Sequence, residues 1–177
     1  MALEYDGHRI GAMQYDGVTI GEAMMDGQVV YQSGLPVVQI TGSGGTVSRD
    51  QFRQACIDFG TTYDTVEVLP FQLDTSQSTA MTNFFYGCTS LTSVPDLDTS
   101  NVTSMSYMFS GCSALTHVPD LTTSNVTDAG WMFNSCTLLT DGNVRLIGKH
   151  PNVDTNAMIL NSGLTREPFY DTAGNPI

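Results

Sequence analysis

One stretch of this chain says nearly the same thing three times, and that limits its fold more than any other feature. Phe85-Tyr-Gly-Cys-Thr-Ser-Leu91, Phe109-Ser-Gly-Cys-Ser-Ala-Leu115 and Phe133-Asn-Ser-Cys-Thr-Leu-Leu139 follow one another at intervals of 24 residues, and Leu73, Leu97 and Leu121 keep the same step. Apolar residues at fixed phases of such a period mark a solenoid, in which each repeat buries its apolar side against its neighbours. Within one unit, residues 91–94 read as a short strand ended by Pro95, and 96–101 as a polar turn. Residues 102–110 read as a short helix presenting Met105, Met108 and Phe109. Strands at 91–94 and 115–118 would then lie in one parallel sheet with the helices opposite.

Residues sharing a phase should stack. Cys88, Cys112 and Cys136 form one such column, which reads as small buried apolar side chains rather than a metal site or a bridge set; Cys56, on a predicted helix, reads the same way. Asn101 and Asn125 share another phase, where an amide can satisfy turn backbone that stacking would otherwise bury unpaired.

Ahead of these repeats lies a shorter one. Tyr5-Asp-Gly, Tyr15-Asp-Gly and Met25-Asp-Gly step by ten residues. Asp-Gly favours the two-residue turns of hairpins, so residues 1–33 are expected to form an antiparallel meander with strands of about eight residues. The Asp column fits neither an EF-hand nor a glycine-rich calcium repeat, and turn chemistry accounts for it. Pro36-Val-Val-Gln-Ile40 reads as a short strand, and Thr41-Gly-Ser-Gly-Gly45 as a flexible connection. Ser48-Arg-Asp-Gln51 fits a capping box, with Phe52, Ala55, Cys56 and Phe59 at helical spacing before Gly60. After Thr140 the period slips, Met158 to Thr165 echo it, and residues 166–177 read as a tail. The expected divisions are an anchor over 1–33, a linker over 34–47, a capping helix and strand over 48–69, repeats over 70–141, and a degenerate closing repeat with tail over 142–177.

The run Asp98-Thr-Ser-Asn-Val-Thr-Ser-Met-Ser-Tyr-Met-Phe-Ser-Gly-Cys-Ser-Ala-Leu115 resembles the BspA-type leucine-rich repeats of bacterial surface proteins, whose units carry D-T-S-N-V-T, M-x-x-M-F and G-C-x-x-L patterns. The likeness spans residues 73–139, although the first unit has Gln77-Ser-Thr-Ala where the others have Asn-Val-Thr. It implies an α/β leucine-rich-repeat solenoid of 24-residue repeats, here with a small N-terminal antiparallel β segment, used for adhesion or display and bringing no catalytic residue. The opening, Tyr-Asp-Gly-x-x-Ile-Gly through Gly27-Gln-Val-Val-Tyr31, is similar to the openings of tail-associated virion proteins of bacteriophages.

Charge narrows the partners. With 18 acidic and 6 basic residues, the net charge of −12 repels nucleic acid and anionic membrane surfaces. No apolar run approaches the roughly 18 residues of a membrane span, and the first residues have neither a basic nor an apolar signal region. An enzyme is not expected: His8, His117 and His150 stand in three separate contexts, with no nucleophile elbow and no ligand spacing. No cofactor or metal is expected either. The reading is a non-enzymatic bacteriophage virion protein, a capsid decoration or minor tail component. It would attach to other virion proteins or to copies of itself through residues 1–33 (Tyr5, Tyr15, Met25, Tyr31) and display a repeat surface (Thr92, Asp96, Thr116, His117, Asp120, Thr140) toward a host receptor. The alternative is an adhesion module on the bacterial surface. Export would require a signal, whereas a virion assembles in the host cytoplasm and leaves by lysis, so the opening residues favour the virion.

Overall fold

The computed structural model describes residues 48–177 in full and, before them, the backbone of seven short strands. The chain forms two compact units, Met1–Pro36 and Val37–Ile177. In the first, β1 (Leu3–Tyr5) pairs with β2 (His8–Ile10), β3 (Gln14–Tyr15) with β4 (Val18–Thr19), and β5 (Met24–Met25) with β6 (Gln28–Val29), all antiparallel. The closing pairs Tyr5↔His8, Tyr15↔Val18 and Met25↔Gln28 each bracket one Asp-Gly dipeptide, the register of a two-residue connection. Among the described residues the expected single meander of eight-residue strands is not seen. Each described strand is two or three residues long, and the described pairing stays within three separate hairpins.

In the second unit, β7 (Val37–Gln39) runs parallel to β8 (Gln72–Asp74). Helix α1 (Arg49–Asp58) begins at the capping box: Ser48 Oγ accepts from the Gln51 N–H at 3.3 Å while Gln51 Oε1 accepts from the Ser48 N–H at 2.8 Å. It buries Phe52, Ala55 and Cys56. Further on, β9 (Leu121–Thr122), β10 (Leu146–Ile147) and β11 (Phe169–Tyr170) form a three-stranded parallel sheet in the order β11-β10-β9.

The expected α/β leucine-rich-repeat solenoid is not what this chain forms. Among the described residues there is one short helix, α1, ahead of the repeats; the parallel sheet has three short strands at the C-terminal end, and no repeat carries a helix of its own. The strands expected at 91–94 and 115–118 reduce to a single parallel bridge, Ser93↔His117. The helix expected over 102–110 is replaced by turns for a backbone reason. Tyr107 and Gly111 take left-handed φ values of 57° and 81°, as do Asn83 and Gly87, Trp131 and Ser135, Ala157 and Asn161 at corresponding phases. Two left-handed residues four apart in each unit stop a right-handed helix from propagating.

The backbone bonds show what replaces it. The N–H groups of Met105, Tyr107, Phe109 and Gly111 donate to the carbonyls of Asp128, Gly130, Met132 and Asn134 in the following unit, at 2.8–3.0 Å. Those of Met108, Ser110 and Cys112, between them, donate three residues back along the chain. One set of donors joins each unit to the next and the other closes its turns, which leaves little of the buried backbone unpaired. Gly111 illustrates the fit: a Cβ there would lie 3.5 Å from Gly87 Cα, in addition to the positive φ.

Side chains of one phase stack through this scaffold. Phe85, Phe109 and Phe133 are fully buried, with ring centroids 5.3 and 5.6 Å apart and interplanar angles of 7° and 3°. Leu91, Leu115 and Leu139 form a second buried row, and Leu73, Leu97, Leu121, Leu146 and Phe169 a third. Residues 166–177, read from sequence as a tail, belong to the folded unit: β11 lies within them and buries Phe169 as the last rung of that third row.

Candidate functional site

Two kinds of surface follow from the stacking. The first carries the residues picked out from sequence for repeat-surface binding. The Thr92 hydroxyl donates to Glu67 O at 2.9 Å, and that of Thr116 to Thr92 O at 3.1 Å, so both are engaged in holding adjacent units together. His117 is exposed and bridges to Ser93. Asp96 is exposed; Asp120, one period later, is exposed and pairs with Arg145 at 3.1 Å. Thr140 is exposed, and its carbonyl accepts from the Asn143 N–H. The structure therefore joins Thr92 to Thr116 and Asp120 to Arg145, in each case by bonds between neighbouring units. Of the attachment residues, Tyr5, Tyr15 and Met25 end β1, β3 and β5, while Tyr31 lies outside the described residues.

Other polar rows are also occupied by interunit bonds. Asn101 Nδ2 donates to Ser76 O at 3.2 Å and Asn125 Nδ2 to Ser100 O at 2.7 Å, the role their shared phase suggested. Cys88, Cys112 and Cys136 are free buried thiols; the Sγ–H groups of Cys112 and Cys136 donate to Phe85 O and Phe109 O, each at 3.0 Å. Burial pushes the Cys136 and Cys56 thiols up to about 12. The Cys112 thiol is raised well above its ordinary value by its bond with the Cys88 thiol and by burial. Raised thiols of this kind are poor nucleophiles and poor metal ligands at neutral pH.

The second surface is not among the residues that the sequence pattern singles out. Tyr86, Tyr107 and Trp131 form a column of rings at the surface: Tyr86 and Tyr107 meet edge to face at 6.5 Å, and Tyr107 and Trp131 stack at 5.9 Å with 3° between their planes. Tyr86 is 40% and Tyr107 37% exposed, and Trp131 is half-buried. The signal was present as aromatic residues at 107 and 131, one period apart. What sequence could not show is that both take positive φ, a conformation bulky side chains rarely adopt. At the other end of the column the Arg49 guanidinium lies over Tyr86 at 5.2 Å and over Tyr63 at 4.8 Å.

Among the described residues no group of three or more His, Cys, Asp or Glu side chains is placed to hold a metal ion, and no helix is long and apolar enough to cross a membrane. Interunit backbone bonds, buried ring and leucine rows and a surface column of aromatics define a repeat protein. The chain belongs to the family described as a Mycoplasma protein of unknown function, DUF285, whose model matches residues 59–162. That match covers the segment resembling BspA-type repeats and is compatible with such a protein. Neither the curated proteins nor the solved structures contain a match.

Proposed function

We propose that this chain is a non-enzymatic structural protein of a bacteriophage particle, attached through residues 1–33 and presenting its repeat surface outward as a capsid decoration or tail-associated component. The observation that carries this reading is the unit Met1–Pro36, whose described pairing consists of three antiparallel hairpins of two or three residue pairs each. Isolated two-stranded hairpins are marginal in water, and short strands with open edges gain stability by pairing with another chain. Copies of this chain or another virion protein would supply that pairing. The similarity of the opening residues to tail-associated proteins supports the same site of attachment.

A second reading, display on a bacterial surface, is compatible with the family match over residues 59–162, the segment that resembles BspA-type repeats. Co-sedimentation with purified particles separates the two. The full chain is expected to sediment with particles, and a chain lacking residues 1–33 to stay in the supernatant with its cooperative thermal transition intact. Co-sedimentation of the truncated chain would overturn the assignment of the anchor. Recovery of the full chain with bacterial envelopes and not with particles would favour the surface reading.

A further inference from the structure

We propose that the end of the aromatic column at Trp131, on the two units that carry Asp128 and Asp154, binds the guanidinium of an arginine presented by a partner protein. The inference goes beyond particle attachment and does not depend on residues 1–33.

The column is closed at one end and open at the other. At the closed end a guanidinium already occupies the terminal ring, Arg49 over Tyr86. At the other end the phase of Tyr107 and Trp131 is continued by Ala157, which has the same left-handed backbone, with φ 51° against 57° and 59°. The Trp131 N–H donates to Asn156 O at 2.9 Å, so the following unit is in register and the ring is simply absent from it. A methyl group covers little of an indole face, and indole is the aromatic ring that attracts cations most strongly.

The charge on these two units has the matching sign. Asp128 and Asp154 stand three residues before Trp131 and Ala157 and form a parallel bridge with each other, which puts two carboxylates on successive units. Asp128 Oδ1 accepts from the Gly130 N–H at 3.1 Å and its Oδ2 from the Ser104 hydroxyl at 3.4 Å; Asp154 Oδ1 accepts from the Asn156 N–H at 2.9 Å. The ion pairs among the described residues are Arg145–Asp120 and Lys149–Glu167, and neither includes Asp128 or Asp154. A planar, delocalised cation that stacks on a ring while its N–H fork meets carboxylates is arginine rather than lysine. A sugar-binding platform would offer several ring faces side by side. Here the faces of Tyr107 and Trp131 are turned toward each other, and Trp131 is the last ring of the stack, a place for one planar group. The net charge of −12 draws a basic partner to the surface.

The single tryptophan makes the test direct, because the full-length chain has one indole N–H resonance. It is titrated with a hexa-arginine peptide, a hexa-lysine peptide and a mixture of soluble oligosaccharides. The arginine peptide is expected to move the indole signal saturably and to bind more tightly than the lysine peptide. Asp128→Asn with Asp154→Asn should weaken binding by about tenfold or more, as loss of charge-assisted hydrogen bonds does, with the melting temperature unchanged. Ala157→Tyr places a further ring on the column, on a backbone that Tyr107 already tolerates, and should abolish the shift in a protein that still melts cooperatively. An indole signal that stays still at about 1 mM arginine peptide would overturn the proposal. So would equal binding of both peptides that ignores the double substitution, or movement with oligosaccharides alone.

Discussion

Phe109→Ala removes the middle ring of the buried phenylalanine column, and its cost can be worked from the contacts. Phe109 is fully buried and stacks on Phe85 at 5.3 Å and on Phe133 at 5.6 Å, both nearly parallel. Returning most of a phenylalanine side chain to water costs about 2–3 kcal/mol. Each aromatic contact adds about 0.5–1.5 kcal/mol beyond burial. The expected loss is therefore about 4–5 kcal/mol, in the upper part of the range for Phe→Ala substitutions in cores. Urea unfolding followed by far-UV circular dichroism measures it, and the melting temperature should fall by about 10–20 °C. Two comparisons sharpen the test. Phe133→Ala gives up one ring stack, with Phe109, so it should cost less by about 0.5–1.5 kcal/mol. Thr92→Ala gives up one half-exposed hydroxyl bond to Glu67 O and should cost about 1 kcal/mol. A Phe109→Ala cost below about 2 kcal/mol, or one matched by Thr92→Ala, would show that the column does not hold the units together.

Two further outcomes follow from the thiols and from a close backbone approach. Because the cysteines are free and buried, reductant should leave the melting temperature unchanged and a nonreducing mass should show no bridges. Raised folded-state values at Cys56 and Cys136 mean that their contribution is fully present below the ordinary thiol range and is lost as pH climbs from there toward about 12. Stability that instead increases over that alkaline window would refute the thiol assignment. Gly163→Ala would drive a Cβ against the Leu139 carbonyl oxygen and to 2.9 Å from Thr137 O, whereas Gly142→Ala meets nothing within 4 Å. The first should therefore cost about 1–3 kcal/mol in denaturant titration and the second well under that, and equal costs would contradict the packing of residue 163 on the preceding unit.

What the sequence determined by itself was which side chains share a phase. The spacing of Phe85, Phe109 and Phe133 places them in one buried row, Asn101 and Asn125 take the turn-bonding role that their common phase implied, and Ser48 with Gln51 starts α1 where the capping pattern puts it. The Asp-Gly dipeptides likewise mark the hairpin registers of residues 1–33. These are local or periodic properties, and a linear chain displays them directly. The path of the backbone within a unit was decided by tertiary structure. Residues 102–110 carry a helical apolar spacing, but the N–H groups of Met105, Tyr107 and Phe109 donate to carbonyls of a neighbouring unit at 2.8–3.0 Å, and in that arrangement Tyr107 is left-handed. That conformation costs on the order of 1–2 kcal/mol in an isolated peptide, and only the bonds and ring contacts of an adjacent unit offset it. The same non-local term builds β10 and β11 from residues that break the 24-residue period, and it brings Tyr86, Tyr107 and Trp131 into one exposed column. A choice between bonding along the chain and bonding to the next unit is settled by a surface that exists only after the neighbouring unit has folded against it.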